Sequence, residues 1–102
     1  MANFIEEKNE EITATCLQFG IKRLFVFGSA LRDDFRPGES DIDLLVEFGP
    51  LEVTKIFHAY LDAREAFCKI FQADVDLVMQ DAVKNKIILR EIERTKRLIY
   101  GA

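Results

Sequence analysis

Two stretches of this chain open on the same motif, two aspartates separated by one β-branched residue, and run on into apolar residues: DIDLLVEF at 41–48 and DVDLVM at 74–79. Alternation of period two marks both as β-strands. In the first, Ile42, Leu44, Val46 and Phe48 share one face, while Asp41, Asp43, Leu45 and Glu47 share the other. In the second, Val75, Leu77 and Met79 oppose Asp74, Asp76 and Val78. A strand with one wholly apolar face has to be covered, so the rest of the chain must supply helices with matching stripes.

It supplies three. Ile5, Ile12, Cys16 and Phe19 fall on one stripe of a helix over residues 4–19, with Gly20 as its stop. Val53, Ile56, Phe57, Tyr60, Leu61, Phe67, Cys68 and Phe71 give a long helix over residues 51–71 that packs on the sheet. Asp81 can cap a last helix with the stripe Val83, Ile87, Ile88, Ile92 and Thr95. RLFVF at 23–27 reads as a buried strand ending at Gly28-Ser29, and residues 30–40 as a short helical turn followed by a loop broken at Pro37-Gly38. The predicted order is helix, strand, turn, strand, helix, strand, helix: an α/β (α+β) fold with a small mixed sheet of about three strands flanked by helices.

With 102 residues, 49% of them hydrophobic and 31% charged, residues 1–102 are expected to form one domain. No apolar run approaches the roughly 20 residues of a membrane span, and the N-terminus lacks the layout of a signal peptide, so a cytoplasmic protein is expected. Cys16 and Cys68 lie in apolar helical patterns without metal-type spacing and read as buried, reduced thiols. A net charge of -4 repels polyanions, so direct DNA binding is not expected and a nucleotide would have to be held locally, through a metal.

Same-face strand residues stand about 6.6 Å apart, so Asp41 and Asp43 can lean toward one point beyond the strand end. Asp76 offers a third carboxylate. Such an all-oxygen site suits Mg²⁺ better than zinc, which recruits His or Cys, and the chain has only one His. Acids that merely coat a solvent face are the plainer reading of an isolated DxD. Here Leu45 and Val78 follow on the same faces, so the acids cluster at strand beginnings instead. Gly28-Ser29 adds a glycine after a strand, where a phosphate can approach the backbone closely.

Together these residues carry a resemblance. FGSALRDDFRPGESDIDLLVEF, residues 27–48, looks like the signature of MNT-type minimal nucleotidyltransferases of the DNA polymerase β superfamily, with DVDLV supplying the later strand aspartate. The resemblance covers nearly the whole chain and implies the nucleotidyltransferase fold. It also implies that Gly28 and Ser29 bind the triphosphate; Ser40 is placed with them, and Arg32 reads either as neutralising phosphate charge or as a surface arginine. Asp41, Asp43 and Asp76 would be both metal ligands and catalytic residues, with two Mg²⁺ ions and ATP as substrate. Eleven residues, 30–40, separate Ser29 from Asp41, one more than is usual in the family, and Asp33 stands where relatives often have Gly. By the same resemblance the partner is a HEPN-domain toxin, and the reaction adds AMP to its tyrosine. Two alternatives stay open: a non-catalytic module that neutralises such a partner by contact, and a transferase acting on a small molecule or an RNA end.

Lys86, Arg90, Arg94 and Arg97 form a basic stripe on the expected last helix, read as a solvated face or as a docking surface for an acidic partner. His58 reads as a surface or boundary residue. Phe25, Phe27, Phe57, Phe67 and Phe71 read as core, and apolar remnants of the long helix suit a homodimer or partner interface.

Overall fold

The computed structural model describes residues 3–31, 36 and 39–102. Helices α1 (Asn3–Glu7) and α2 (Asn9–Phe19) lead into β1 (Ile21–Phe27) and a 3₁₀ turn, Gly28–Leu31. Then come β2 (Ile42–Phe48), α3 (Val53–Phe71), β3 (Val75–Met79), a second 3₁₀ turn (Gln80–Ala82), α4 (Lys86–Thr95) and β4 (Arg97–Tyr100). The expected α+β class holds, with a mixed sheet of four strands, where about three were anticipated, in the order β3-β2-β1-β4. β1 pairs antiparallel with β2 and β4, and β2 pairs parallel with β3.

The two faces of the sheet are covered differently. On one, Leu24, Val26, Ile42, Leu44, Val46, Val75 and Leu77 meet Ile5, Ile12, Cys16, Phe67 and Phe71 from the first three helices. On the other, Phe25 and Leu45 are buried beneath Ile92 of α4, with Phe27, Val78 and Val83 packed around them. Strand parity therefore places Asp43 and Asp76 on the α4 side.

Four local expectations are corrected. The helix over residues 4–19 breaks at Lys8, whose N–H bonds to Ile5 O at 3.2 Å. Glu6 and Glu10, and likewise Glu7 and Glu11, would repel at i,i+4 spacing in a continuous helix, and Asn9 is a weak helix former. Ile5 and Ile12 stay buried across the break, at 4% and 1% exposure.

In α3 the apolar residues fall on two stripes. Ala63, Phe67 and Phe71 face the sheet, whereas Val53, Phe57 and Leu61, four residues apart, turn outward. Phe57 is therefore not core: it is 60% exposed, with its ring edge-to-face against that of exposed His58. A 19-residue helix is roughly 28 Å long and overhangs strands of 5 to 7 residues. Its inward polar groups protect the edge of β3, since the Tyr60 hydroxyl donates to Leu77 O at 2.6 Å and Arg64 Nε to Val75 O at 3.0 Å.

The cap of α4 is Asn85 and not Asp81, which lies in the preceding 3₁₀ turn. Asn85 Oδ1 accepts from Ile87 N at 2.9 Å and Ile88 N at 3.2 Å. Ile87 and Ile88 are exposed, leaving Ile92 as the buried residue of the predicted stripe. Finally, Arg97 belongs to a strand, so the predicted basic stripe is cut short. Residues 97–100 pair with the open edge of β1, where Val26 faces Arg97 and Leu24 faces Tyr100, because an unpaired edge leaves backbone donors and acceptors unsatisfied.

Both cysteines are free, Cys16 buried and Cys68 half-buried. Burial pushes the Cys16 thiol up to about 12, so its reactive thiolate is suppressed at neutral pH. Maleimide treatment of the native chain at pH 7.5 is expected to label Cys68 first and Cys16 only after denaturation, as read by peptide mass mapping; prompt Cys16 labelling would contradict its packing.

α2 ends as expected on Gly20 at φ 69°, its N–H bonded to Cys16 O. α3 ends in the same left-handed geometry on Gln72 at φ 53°, the one non-glycine with positive φ among the described residues. A side chain there costs on the order of 1 kcal/mol. Gln72→Gly is expected to raise the unfolding free energy by about 0.5–1 kcal/mol in urea titration, and a loss of stability would contradict the cap geometry.

Candidate active site

One end of the sheet gathers the predicted residues. Because β1 runs antiparallel to β2, its last residue Phe27 stands opposite Asp43, and the chain leaves β1 at Gly28 directly beside that aspartate. Because β3 runs parallel to β2, Asp76 stands level with Asp43, one strand farther out. Ile42 N–H donates to Asp74 O at 2.9 Å and locks this parallel register at its start. Gly28, Asp43 and Asp76 thus line up across three neighbouring strands.

Gly28 needs to be glycine for two reasons. Its φ of +70° lies in the left-handed region, and a Cβ there would collide with Asp43 Oδ2 and stand 3.3 Å from Cγ. The Asp43 carboxylate lies against the bare backbone of the turn. Gly28→Ala is expected to lose about 1–2 kcal/mol in chemical denaturation from the backbone strain alone, and more from the collision. Adding Asp43→Ala should recover the second part, so the double variant is less destabilised than the sum of the singles; strict additivity would refute the contact.

The other predicted residues are placed less closely. Asp41 is exposed and immediately precedes β2, so its position relative to Asp43 is that of the next same-face residue. Ser40 follows a turn in which its N–H and that of Glu39 both bond to Arg36 O at 3.0 Å. The backbone of Ser29 lies in the 3₁₀ turn after β1. Arg32, Asp33 and the Pro37-Gly38 break lie outside the described residues.

The donor set fits a hard divalent cation in kind: carboxylate oxygens from adjacent strands, those of Asp43 seated where a side chain at Gly28 would stand. Among the described residues, no three His, Cys, Asp or Glu side chains stand close enough to enclose an ion by themselves. Phosphate oxygens or water would complete such a shell, the usual arrangement for Mg²⁺.

Residues to which sequence reasoning gave other places, together with Leu31 and Glu91, border this corner. An open cleft of about 590 Å³ runs from Phe27, Gly28 and Leu31 to Ile87, Ile88, Glu91 and Arg94 of α4. Arg94 Nε donates to Glu91 Oε2 at 3.3 Å, and a second Arg94 nitrogen is paired with Glu91 Oε1. This hydrogen-bonded pairing holds the Glu91 carboxyl below its ordinary range and raises Arg94. The i,i+3 spacing of Glu91 and Arg94 is visible in the sequence, but the cleft is not, because it depends on α4 crossing beside the 3₁₀ turn.

Comparisons with known proteins identify the family and the fold. Residues 8–100 match the model of the nucleotidyltransferase domain family. A relative from Methanocaldococcus jannaschii, provisionally named a protein adenylyltransferase, is 32% identical over 81% of this chain and 79% of its own. A solved structure provisionally described as a minimal nucleotidyltransferase superposes with a TM-score of 0.71 at 25% identity, over 90% of this chain and 89% of that one. The fold also recurs in a complex of an MNT antitoxin with a tri-AMPylated HEPN toxin from Shewanella oneidensis, with a TM-score of 0.65 at 17% identity, over 96% of this chain and 73% of that one. A family match spanning almost the whole sequence, on a fold that brings Gly28 to Asp43 and Asp76, makes this chain a member of the nucleotidyltransferase domain family and a nucleotidyltransferase.

Proposed function

We propose that this protein transfers AMP from ATP to a hydroxyl of a HEPN-domain toxin, acting in the cytoplasm as the antitoxin of the pair. The observation that carries the reading is the corner itself, with the bare Gly28 backbone against Asp43 and Asp76 at the same level of the next strand. Support for a protein acceptor comes from the name of the Methanocaldococcus relative and from the AMPylated toxin in the Shewanella complex.

In this reading, Gly28 and Ser29 accept the triphosphate against main chain, with Arg32 and Ser40 beside it. Asp41, Asp43 and Asp76 would hold Mg²⁺. The metal, when bound, neutralises phosphate charge and lowers the pKa of the attacking hydroxyl. Asp43 lies between the glycine turn and Asp76, and so orients the α-phosphate. Asp76 is exposed on the far side of Asp43, where an incoming hydroxyl can be deprotonated and aligned for in-line attack, with pyrophosphate leaving toward Gly28. Exposure at that edge suits an acceptor delivered by another protein.

The test is intact-mass analysis of the protein encoded beside this one, after incubation with this chain, Mg²⁺ and ATP. A gain of one or more AMP units is expected. Asp41→Asn with Asp43→Asn should abolish it, and Asp76→Asn should slow transfer about 10²–10⁴-fold while leaving ATP binding largely intact. A stable complex without mass gain, or transfer that survives the double substitution, would refute the proposal.

A further inference from the structure

The cleft beside the glycine turn is of a size and character that the phosphate corner does not account for. Its volume of about 590 Å³ falls within the roughly 300–1,000 Å³ typical of small-molecule sites. Phe27, Leu31, Ile87 and Ile88 make its walls apolar, and Ile87 and Ile88 are 80% and 53% exposed. Gly28 lines the cleft and also lies against the Asp43 carboxylate, so the two places share that residue as a common wall.

We propose that this cleft receives the nucleoside of the NTP whose phosphates lie at Gly28 and Asp43, with Ile87 and Ile88 as the face against which the base packs. The inference rests on the reading of the corner as the NTP site. An NTP anchored there by its phosphates has its base tethered within a few bonds of the cleft mouth, so an apolar recess sharing a wall with the phosphate site is the surface it meets. Branched aliphatic side chains suit the flat face of a heterocycle, whose burial is driven by apolar contact. The rim is matched to a neutral heterocycle and not to a second phosphate: Glu91 and Arg94 offset each other's charge while presenting carboxylate oxygens and N–H groups.

The test compares Mg²⁺-ATP with inorganic tripolyphosphate, which carries the phosphates without a nucleoside. Both are titrated calorimetrically against the wild-type chain and against Ile87→Gln/Ile88→Gln, with the urea midpoint confirming that the variant folds. ATP is expected to bind the variant at least tenfold more weakly, with tripolyphosphate within twofold of wild type. Unchanged ATP affinity would overturn the cleft assignment alone, as would an equal loss for both compounds, which would mean that α4 acts only through the phosphate corner. A wild-type chain that binds neither compound would overturn the NTP site and this inference with it. In parallel, 8-azido-ATP photolabelling should mark the peptide carrying Lys86–Thr95; label confined to other peptides refutes the assignment, including the case where the cleft is the seat of a protein partner.

Discussion

The register between β2 and β3 is the constraint from which the rest of the site follows. Parallel strands cannot be joined by a tight turn, so α3 must carry the chain back along the sheet before β3 can begin beside Asp41 and Ile42. The bond from Ile42 N–H to Asp74 O sets that start, and with it Asp43 comes level with Asp76. A slip of one residue would turn Asp76 into the core and bring Val75 and Leu77 out from beneath α3. Eight buried aliphatic side chains on the face of the sheet beneath the first three helices oppose that slip, so the same hydrophobic packing that stabilises the sheet also aligns its carboxylates.

Antiparallel pairing of β1 with β2 adds the glycine turn. Gly28 follows Phe27, whose partner is Asp43, and the main chain bends there in a conformation that disfavours side chains. The bend leaves backbone where a side chain would otherwise stand, next to a carboxylate. The position of α4 completes the surroundings: Ile92 anchors the helix over Phe25 and Leu45, while Ile87 and Ile88 on its earlier turn remain uncovered beside the cleft.

The outward stripe of Val53, Phe57 and Leu61 has a different origin. α3 spans the length of the crossover and more, and only its inner face has a sheet to meet. Helical periodicity in the sequence reports apolar positions without distinguishing two stripes about 80–100° apart from a single broad one. This ambiguity made Phe57 look like core beside Phe67 and Phe71, and it applies equally to Ile87 and Ile88 on α4.

By itself the sequence determined the class of fold, the strand character of both acidic motifs, the parity that separates Asp43 and Asp76 from the main core, and the helix stop at Gly20. These are local properties: period-two and helical patterns are written in neighbouring residues, and a glycine stop is a property of one backbone position. Only tertiary structure decided that residues 97–100 form a strand, since their pairing answers an open edge of β1 more than seventy positions earlier in the chain. The break at Lys8 follows from local charge, Glu6 and Glu7 against Glu10 and Glu11, but tertiary structure decided the choice of Asn85 over Asp81 as cap and the cleft between the glycine turn and α4. Each of these depends on where distant segments come to rest, and no local pattern encodes that.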